Sequence, residues 1–435
     1  MILANARLPE GGLADVEIAG GLVVATHPPG KAPLADKRFD LGGMLLLPAF
    51  VDGHLHLDKT HWSAPRLPHV EGRSVRDRIA AERVQRHRVA LPIETRASAL
   101  VRTLIANGAT RARSHVDIDN DVGLDNLEAV IAVREAFREW IDIQLVAFPQ
   151  SGVTTEAGAP DLLAAALMAG ADLIGGLDPA GFDGDVEGQL DVVFGLAEAF
   201  GKGIDIHLHD FGEAGASELR DIAERTIAAG LQGRVAVSHA FALGTIAPNL
   251  FADTAERLAR AEVSIMTSCP PSAPVPPVSA LRARGVTVFA GSDNIRDCWS
   301  PYGNGDMLDR AAIIAERHQM FSDRELRDAL TLATSEADKA LGNPRRGLRA
   351  GAVADLVAVE AASVADAVVD RPQRTLVLRG GRIAAERGVP SAALASVHVP
   401  GASRSSETET ELQMKAVEQA LRAELGARGT KSPSF

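Results

Sequence analysis

A chain of 435 residues, with 46% hydrophobic, 23% charged and only 4% aromatic residues, is long enough for a large core and has an ordinary globular composition. Its formal charge of -12, with no Lys/Arg cluster suited to neutralising phosphates, argues against nucleic acid as a partner, and no apolar run reaches membrane-spanning length. Two cysteines, Cys269 and Cys298, give no disulfide framework and fit a reducing compartment; the start Met1-Ile2-Leu3-Ala4-Asn5-Ala6-Arg7 lacks the basic and apolar regions of a signal peptide, so the expected location is the cytoplasm.

In chain order, short β-rich segments come first: Ile2 to Leu8, Ala14 to Ile18 and Leu22 to Thr26, punctuated by Gly11-Gly12 and Gly20-Gly21. A similar group closes the chain at Ala354 to Ala358, Thr375 to Leu378 and Arg382 to Ala384. Between them, strand-like apolar runs alternate with Ala-rich helical stretches, the pattern of a parallel sheet with helical crossovers. Eight strands are expected, at Leu45 to Phe50, Thr110 to His115, Ile143 to Phe148, Leu173 to Leu177, Ile204 to Leu208, Val235 to Ser238, Val263 to Thr267 and Val286 to Ala290. Eight closes a (β/α)8 TIM-like barrel. The fold class is therefore α/β: a barrel over 47–343, joined to a small β-sandwich domain formed by 1–46 and 344–400. A polar tail, 401–435, places Leu412, Val417, Leu421 and Leu425 at near-helical spacing, an amphipathic helix suited to docking on the barrel or on a neighbouring subunit of a homo-oligomer. The densest basic stretch, Arg73 to Arg88, is interrupted by Asp77 and Glu82 and reads as a solvated helix face.

In such a barrel the chemistry sits at the C-terminal strand ends. Those ends carry His54 and His56, then His115 and Asp117, Gln150, His207 with His209 and Asp210, His239, and Asp293, which together hold six of the twelve histidines. His54 and His56 are two residues apart, so on a strand they project the same way. His54, His56, His207 and Asp293 complete a borderline-hard donor set for one divalent transition metal, Zn2+ or Fe2+, with a water position open. Such an ion lowers the pKa of its water toward neutrality and creates a hydroxide nucleophile. Asp293 also accepts the water's proton, His239 hydrogen-bonds the hydroxide or polarises the target atom, and Asp210 carries the proton toward the leaving group.

Pro48-Ala49-Phe50-Val51-Asp52-Gly53-His54-Leu55-His56-Leu57-Asp58 resembles the strand-one signature of the amidohydrolase superfamily. Arg113-Ser114-His115-Val116-Asp117, Phe148-Pro149-Gln150, Val237-Ser238-His239 and Gly291-Ser292-Asp293-Asn294-Ile295-Arg296-Asp297-Cys298-Trp299 resemble its cytosine deaminase branch, which also takes in triazine-ring amidohydrolases. The resemblance spans residues 1 to about 395. It implies a mononuclear metal hydrolase that deaminates a small nitrogen heterocycle, with the same ligands and with His239 beside the reacting water. It further implies that Gln150 holds a ring carbonyl or ring nitrogen and that Trp299 walls the pocket. Strand four ends in Gly175-Gly176-Leu177-Asp178-Pro179 and offers no lysine for carboxylation, which favours one metal over a bridged pair. The chain departs from the branch in two places. After strand five it reads His207-Leu208-His209-Asp210 rather than H-x-x-E, with Glu213 as a fallback shuttle. After strand eight the second of two aspartates is replaced by Asn294, which argues against cytosine itself. Lys59 is either a pocket cation or a surface lysine. Ring opening or side-chain amide hydrolysis on the same scaffold is the rival chemistry, and a silent ligand-binding paralogue the rival class.

Overall fold

The computed structural model describes residues 1–70, 72, 74–342 and 347–402. Its barrel sheet has eight parallel strands hydrogen-bonded in chain order: Phe50–Leu55 (β1), Ala109–Asp117 (β2), Asp142–Phe148 (β3), Leu173–Leu177 (β4), Gly203–Leu208 (β5), Val235–His239 (β6), Ser264–Thr267 (β7) and Val288–Ala290 (β8). A helix bearing one apolar stripe follows most strands. In Val186–Phe200, after β4, the buried Leu190, Val193, Phe194 and Ala197 recur at i, i+3, i+4 and i+7. The ring of strands closes at a bridge between Leu55 and Asp293, where the Asp293 N–H donates to the His54 carbonyl at 2.7 Å. Two glycines make this seam possible. A Cβ on Gly53 would lie 2.4 Å from the Phe289 ring, and one on Gly291 would lie 2.5 Å from the His54 Cβ.

Both ends of the described chain build a nine-stranded mixed sheet. Ile2–Arg7, Leu13–Ala19 and Leu22–His27 lie at one side, and Leu356–Val359, Arg374–Arg379 and Arg382–Glu386 at the other. Leu45–Pro48 joins the two halves, pairing antiparallel with Leu356–Val359. Leu3, Val16, Ile18, Leu46, Leu356 and Leu378 form its own core. The expected first barrel strand, Leu45 to Phe50, is thus two half-strands in different sheets. Leu45–Pro48 belongs to the terminal sheet, and the barrel strand begins at Phe50 and continues through His54. Both pieces are buried on both faces, so the apolar run carries no period that would divide it. The amphipathic segment expected around Leu412 to Leu425 lies outside the described residues.

The barrel interior is layered. Val51, Ala236, Met266 and Phe289 fill the N-terminal end. Above them Arg113 and Asp205 make a buried ion pair at 2.8 Å, and the histidines lie above that pair at the C-terminal mouth.

Candidate active site

β1, β2, β5, β6 and the turn after β8 bring His54, His56, His115, His207, His239 and Asp293 into one buried cluster. The Asp293 Oδ1 lies 3.7 Å from His54 Nε2 and 3.6 Å from His56 Nε2, and its Oδ2 lies 4.0 Å from His239 Nδ1. The His207 ring centroid is 4.6 Å from that of His54 and 5.6 Å from that of His56. Ligand atoms of His54, His56 and Asp293 lie within 4.8 Å of one another, and so do those of His54, His115 and His207, so His54 is common to two trios. His54 Nε2, His56 Nδ1, both His207 ring nitrogens and His239 Nδ1 are buried without a hydrogen-bond partner. Buried polar atoms are rarely left so, and His54 Nε2 and His239 Nδ1, both close to Asp293, fit a divalent cation.

The protonation states suit that donor set. Burial holds His54 and His207 well below the ordinary histidine range, with neighbouring imidazoles adding to the effect, and takes His239 down to about 3. Burial alone would raise Asp293, but His239 and His56 hold its carboxyl below the usual carboxylate range. Neutral imidazoles beside one carboxylate are the forms that coordinate metal. His239 and Asp293 both adopt left-handed backbone, φ 73 and 62, at a cost of about 1–3 kcal/mol each. Both residues line the cavity at the mouth.

A hydrogen-bond chain stands behind His54. Its Nδ1 lies 2.9 Å from Ser238 Oγ, and that hydroxyl donates to Asp205 Oδ1 at 2.8 Å. Asp205 is acceptor-only, because His115 and Arg113 hold it below the carboxylate range against the effect of burial. The single Ser238 proton therefore goes to Asp205, and Ser238 accepts from His54 Nδ1–H. That fixes the His54 tautomer with its Nε2 lone pair toward Asp293.

On the β4–β5 side, His209 Nδ1 lies 2.9 Å from Asp178 Oδ2, and the His209 ring stacks on His239 at 4.6 Å and 21°. Burial opposes charge on His209, but Asp178 outweighs it and raises the imidazole's pKa. Asp210 accepts from the Gly181 N–H at 2.8 Å and is bonded to Glu218. Burial, then Asp178, raises the Asp210 carboxyl, and burial takes the hydrogen-bonded Glu218 to about 8. Glu213, the fallback shuttle, is exposed in the first turn of helix Gly212–Ala228.

A cavity of about 1400 Å³ opens above the cluster. Lys59, Gln150, Asn294 and Trp299 all line it. Lys59 is buried rather than on the surface, 3.0 Å from Asp117 Oδ1 and 3.3 Å from Glu82 Oε2. Asn294 spends one amide N–H on Asp297 at 2.8 Å, leaving Oδ1 and its second N–H for the cavity. Phe148 stacks on His207 at 4.1 Å and so braces a candidate ligand.

Glu82 is the residue that sequence reasoning missed most clearly. Ser74 caps helix Val75–Gln85 with a capping box, and the helix buries Ile79, Glu82 and Gln85 at i, i+3 and i+6. The basic stretch is therefore only partly a solvated face, and Glu82 points inward. Asp178, Asp205 and Arg113 were also missed. The signal for the last two was a charge inside an apolar strand run, as in Ile204-Asp205-Ile206.

A barrel with a histidine-and-aspartate mouth, joined to a sheet from both termini, defines a class of hydrolases. The family model described as "Amidohydrolase family" matches residues 37–385, and the chain belongs to that family. N-isopropylammelide isopropyl amidohydrolase of Pseudomonas sp. (strain ADP) is 34% identical over 393 residues, 88% of this chain and 96% of that protein. The structure of N-isopropylammelide isopropylaminohydrolase from Burkholderia multivorans ATCC 17616 superposes with a TM-score of 0.86 at 43% identity, covering 90% of this chain and 99% of that one. The 5-methylcytosine deaminase of Klebsiella pneumoniae, liganded with phosphonocytosine, has a TM-score of 0.79 at 25% identity over 89% of this chain and 98% of that one. Among the described residues, no helix is long and apolar enough to cross a membrane.

Proposed function

We infer that the chain hydrolyses an exocyclic C–N bond of a small pyrimidine or triazine ring, releasing ammonia or an amine, with one Zn2+ or Fe2+ at His54, His56, His207 and Asp293. The observation that carries this reading is that His54 Nε2 and His239 Nδ1, buried and without hydrogen-bond partners, lie with His56 Nε2 within 4.0 Å of the Asp293 carboxylate beneath an aromatic-walled cavity. A divalent ion there supplies Lewis acidity and brings the pKa of water toward neutrality.

The chain's own groups do the rest. Asp293 accepts the attacking water's proton, with Oδ2 steadied by the Ser268 hydroxyl at 3.2 Å. His239 is neutral and held in place by the stacked His209–Asp178 pair; it hydrogen-bonds the oxygen that adds to the ring carbon. Asp210 has a raised carboxyl pKa and is hydrogen-bonded to Glu218, and it delivers a proton to the departing nitrogen. Gln150, Lys59 and Asn294 orient the ring through its polar edge, while Trp299 and Phe148 cover its faces and exclude water.

A second reading, hydrolysis of a side-chain amide or of the ring itself, draws on the cavity volume, which exceeds what an unsubstituted six-membered ring occupies. Metal-depleted protein reconstituted with Zn2+ or Fe2+ should be assayed on a panel of amino- and alkylamino-pyrimidines and triazines, with ammonia or amine release and product mass as readouts. Products that have gained water without losing a nitrogen group favour the ring-opening form of the second reading. No turnover with either metal across the panel removes the hydrolase assignment and leaves a ligand-binding role.

A further inference from the structure

One carboxylate oxygen ties together three candidate ring-binding residues that arrive from three parts of the barrel. Glu82 Oε2 accepts from Trp299 Nε1 at 2.6 Å, from Lys59 Nζ at 3.3 Å and from Gln150 Nε2 at 3.3 Å. Lys59 follows β1, Gln150 follows β3 and Trp299 follows β8, while Glu82 comes from the helix Val75–Gln85 that crosses above them. Glu82 is buried and does not line the cavity itself, so it acts through the residues that do.

We propose that Glu82 is the positioning residue that sets the donor and acceptor polarity of the ring-binding wall. Glu82 takes one Nε2–H of Gln150, which fixes the sense of the amide and leaves its Oε1 as an acceptor, with the second N–H, for the cavity. Lys59 has three ammonium hydrogens, of which Glu82 and Asp117 take two; the third is left as a donor. Its nitrogen also lies 5.5 Å from the Phe148 ring centroid and 5.6 Å from that of Trp299, which holds it over the space a flat ring would fill. A donor beside an acceptor matches a ring edge that presents C=O next to N–H. The ligand class is therefore an oxo-heterocycle with a lactam edge. This rests on the heterocycle reading above and specifies which ring edge that site takes.

Glu82→Ala removes the oxygen that all three donors share, so the Gln150 amide becomes free to turn over and present its NH2 to the cavity, whereas Glu82→Gln can keep an accepting oxygen in that place. The test is calorimetric titration of the zinc-loaded full chain with uracil, which carries lactam edges, and with 1,3-dimethyluracil, which has lost both ring N–H groups. Wild type is expected to bind uracil at least about tenfold more tightly, the scale of one buried hydrogen bond. Glu82→Ala should bring the ratio to within about twofold with zinc content unchanged, while Glu82→Gln, which keeps an accepting oxygen, should retain most of it. Absence of uracil binding to wild type, equal binding of both probes, or a ratio that survives in Glu82→Ala overturns the proposal. Uracil selectivity without turnover of any substrate would instead remove the hydrolase reading and leave the assignment of Glu82 standing.

Discussion

Ser238→Ala isolates the hydrogen-bond chain behind His54. The substitution deletes one oxygen that joins His54 Nδ1 at 2.9 Å to Asp205 Oδ1 at 2.8 Å, in a site where all three residues are buried. His54 then has no partner for Nδ1–H, and nothing selects the tautomer whose Nε2 lone pair faces Asp293. Loss of such an outer partner typically costs about 10- to 100-fold in metal affinity, or about 1.4–2.7 kcal/mol. The leading reading of the site thus expects the Zn2+ dissociation constant to rise by that factor. Chelator-treated protein would be titrated with Zn2+ against a chromophoric competitor near pH 7.5, with the Tm of the metal-free form measured separately. Ser238→Thr keeps the hydroxyl and should stay within about threefold of wild type. If Ser238→Ala binds Zn2+ as tightly as wild type, or if both variants weaken equally, the hydroxyl does not orient His54.

Reconstitution should give maximal activity at one equivalent of divalent metal, and a maximum at two would show that His115 and His207 hold a second ion with His54. Asp293→Asn and His239→Ala should each lower kcat by at least about a thousandfold in single-turnover assays, with circular dichroism unchanged. The Glu218 carboxyl, with a folded value of about 8 against an ordinary 4.5, binds a proton in the folded state that the unfolded chain has released. Between those values stability should fall as pH rises, by at most about 1.4 kcal/mol per pH unit. Glu218→Gln should flatten that slope in denaturant titrations from pH 5 to pH 9, and an unchanged slope would place the excess proton elsewhere. Asn294→Asp should raise kcat/KM for cytosine by about one to two orders of magnitude, the scale of a charge-assisted hydrogen bond. The gain should be larger at pH 8 than at pH 6, because burial raises the neighbouring Asp297 to about 6 and the two carboxyls would share a proton at the lower end.

The parallel barrel was legible because its strands are short apolar runs bounded by turns and helices, and because its polar strand ends recur at the positions where such a barrel works. The cluster of His54, His56, His207, His239 and Asp293 could be listed from those ends alone. The division of the run Leu45 to Phe50 could not, since a strand buried on both faces has no alternation to mark where one sheet stops and another starts. Glu82 was hidden by its neighbours. It sits among arginines in a helix, and what distinguishes it from a solvated glutamate is three donors brought from β1, β3 and β8. Ser238 and Asp205 were hidden for a related reason: their partners lie across the barrel, and a period within one strand says nothing about the strand opposite.

The seam between β1 and β8 has a consequence for assembly. His54 lies on the first strand, and Asp293 directly follows the last; they meet only because Gly53 and Gly291 let the two backbones touch. If His54 and Asp293 hold the proposed ion, no such pair exists in a partly wound barrel, so tight metal uptake would report that the ring of strands has closed. A larger side chain at Gly291 should then appear first as slow or weak metal loading, while far-UV helix content and the core between neighbouring strands remain normal.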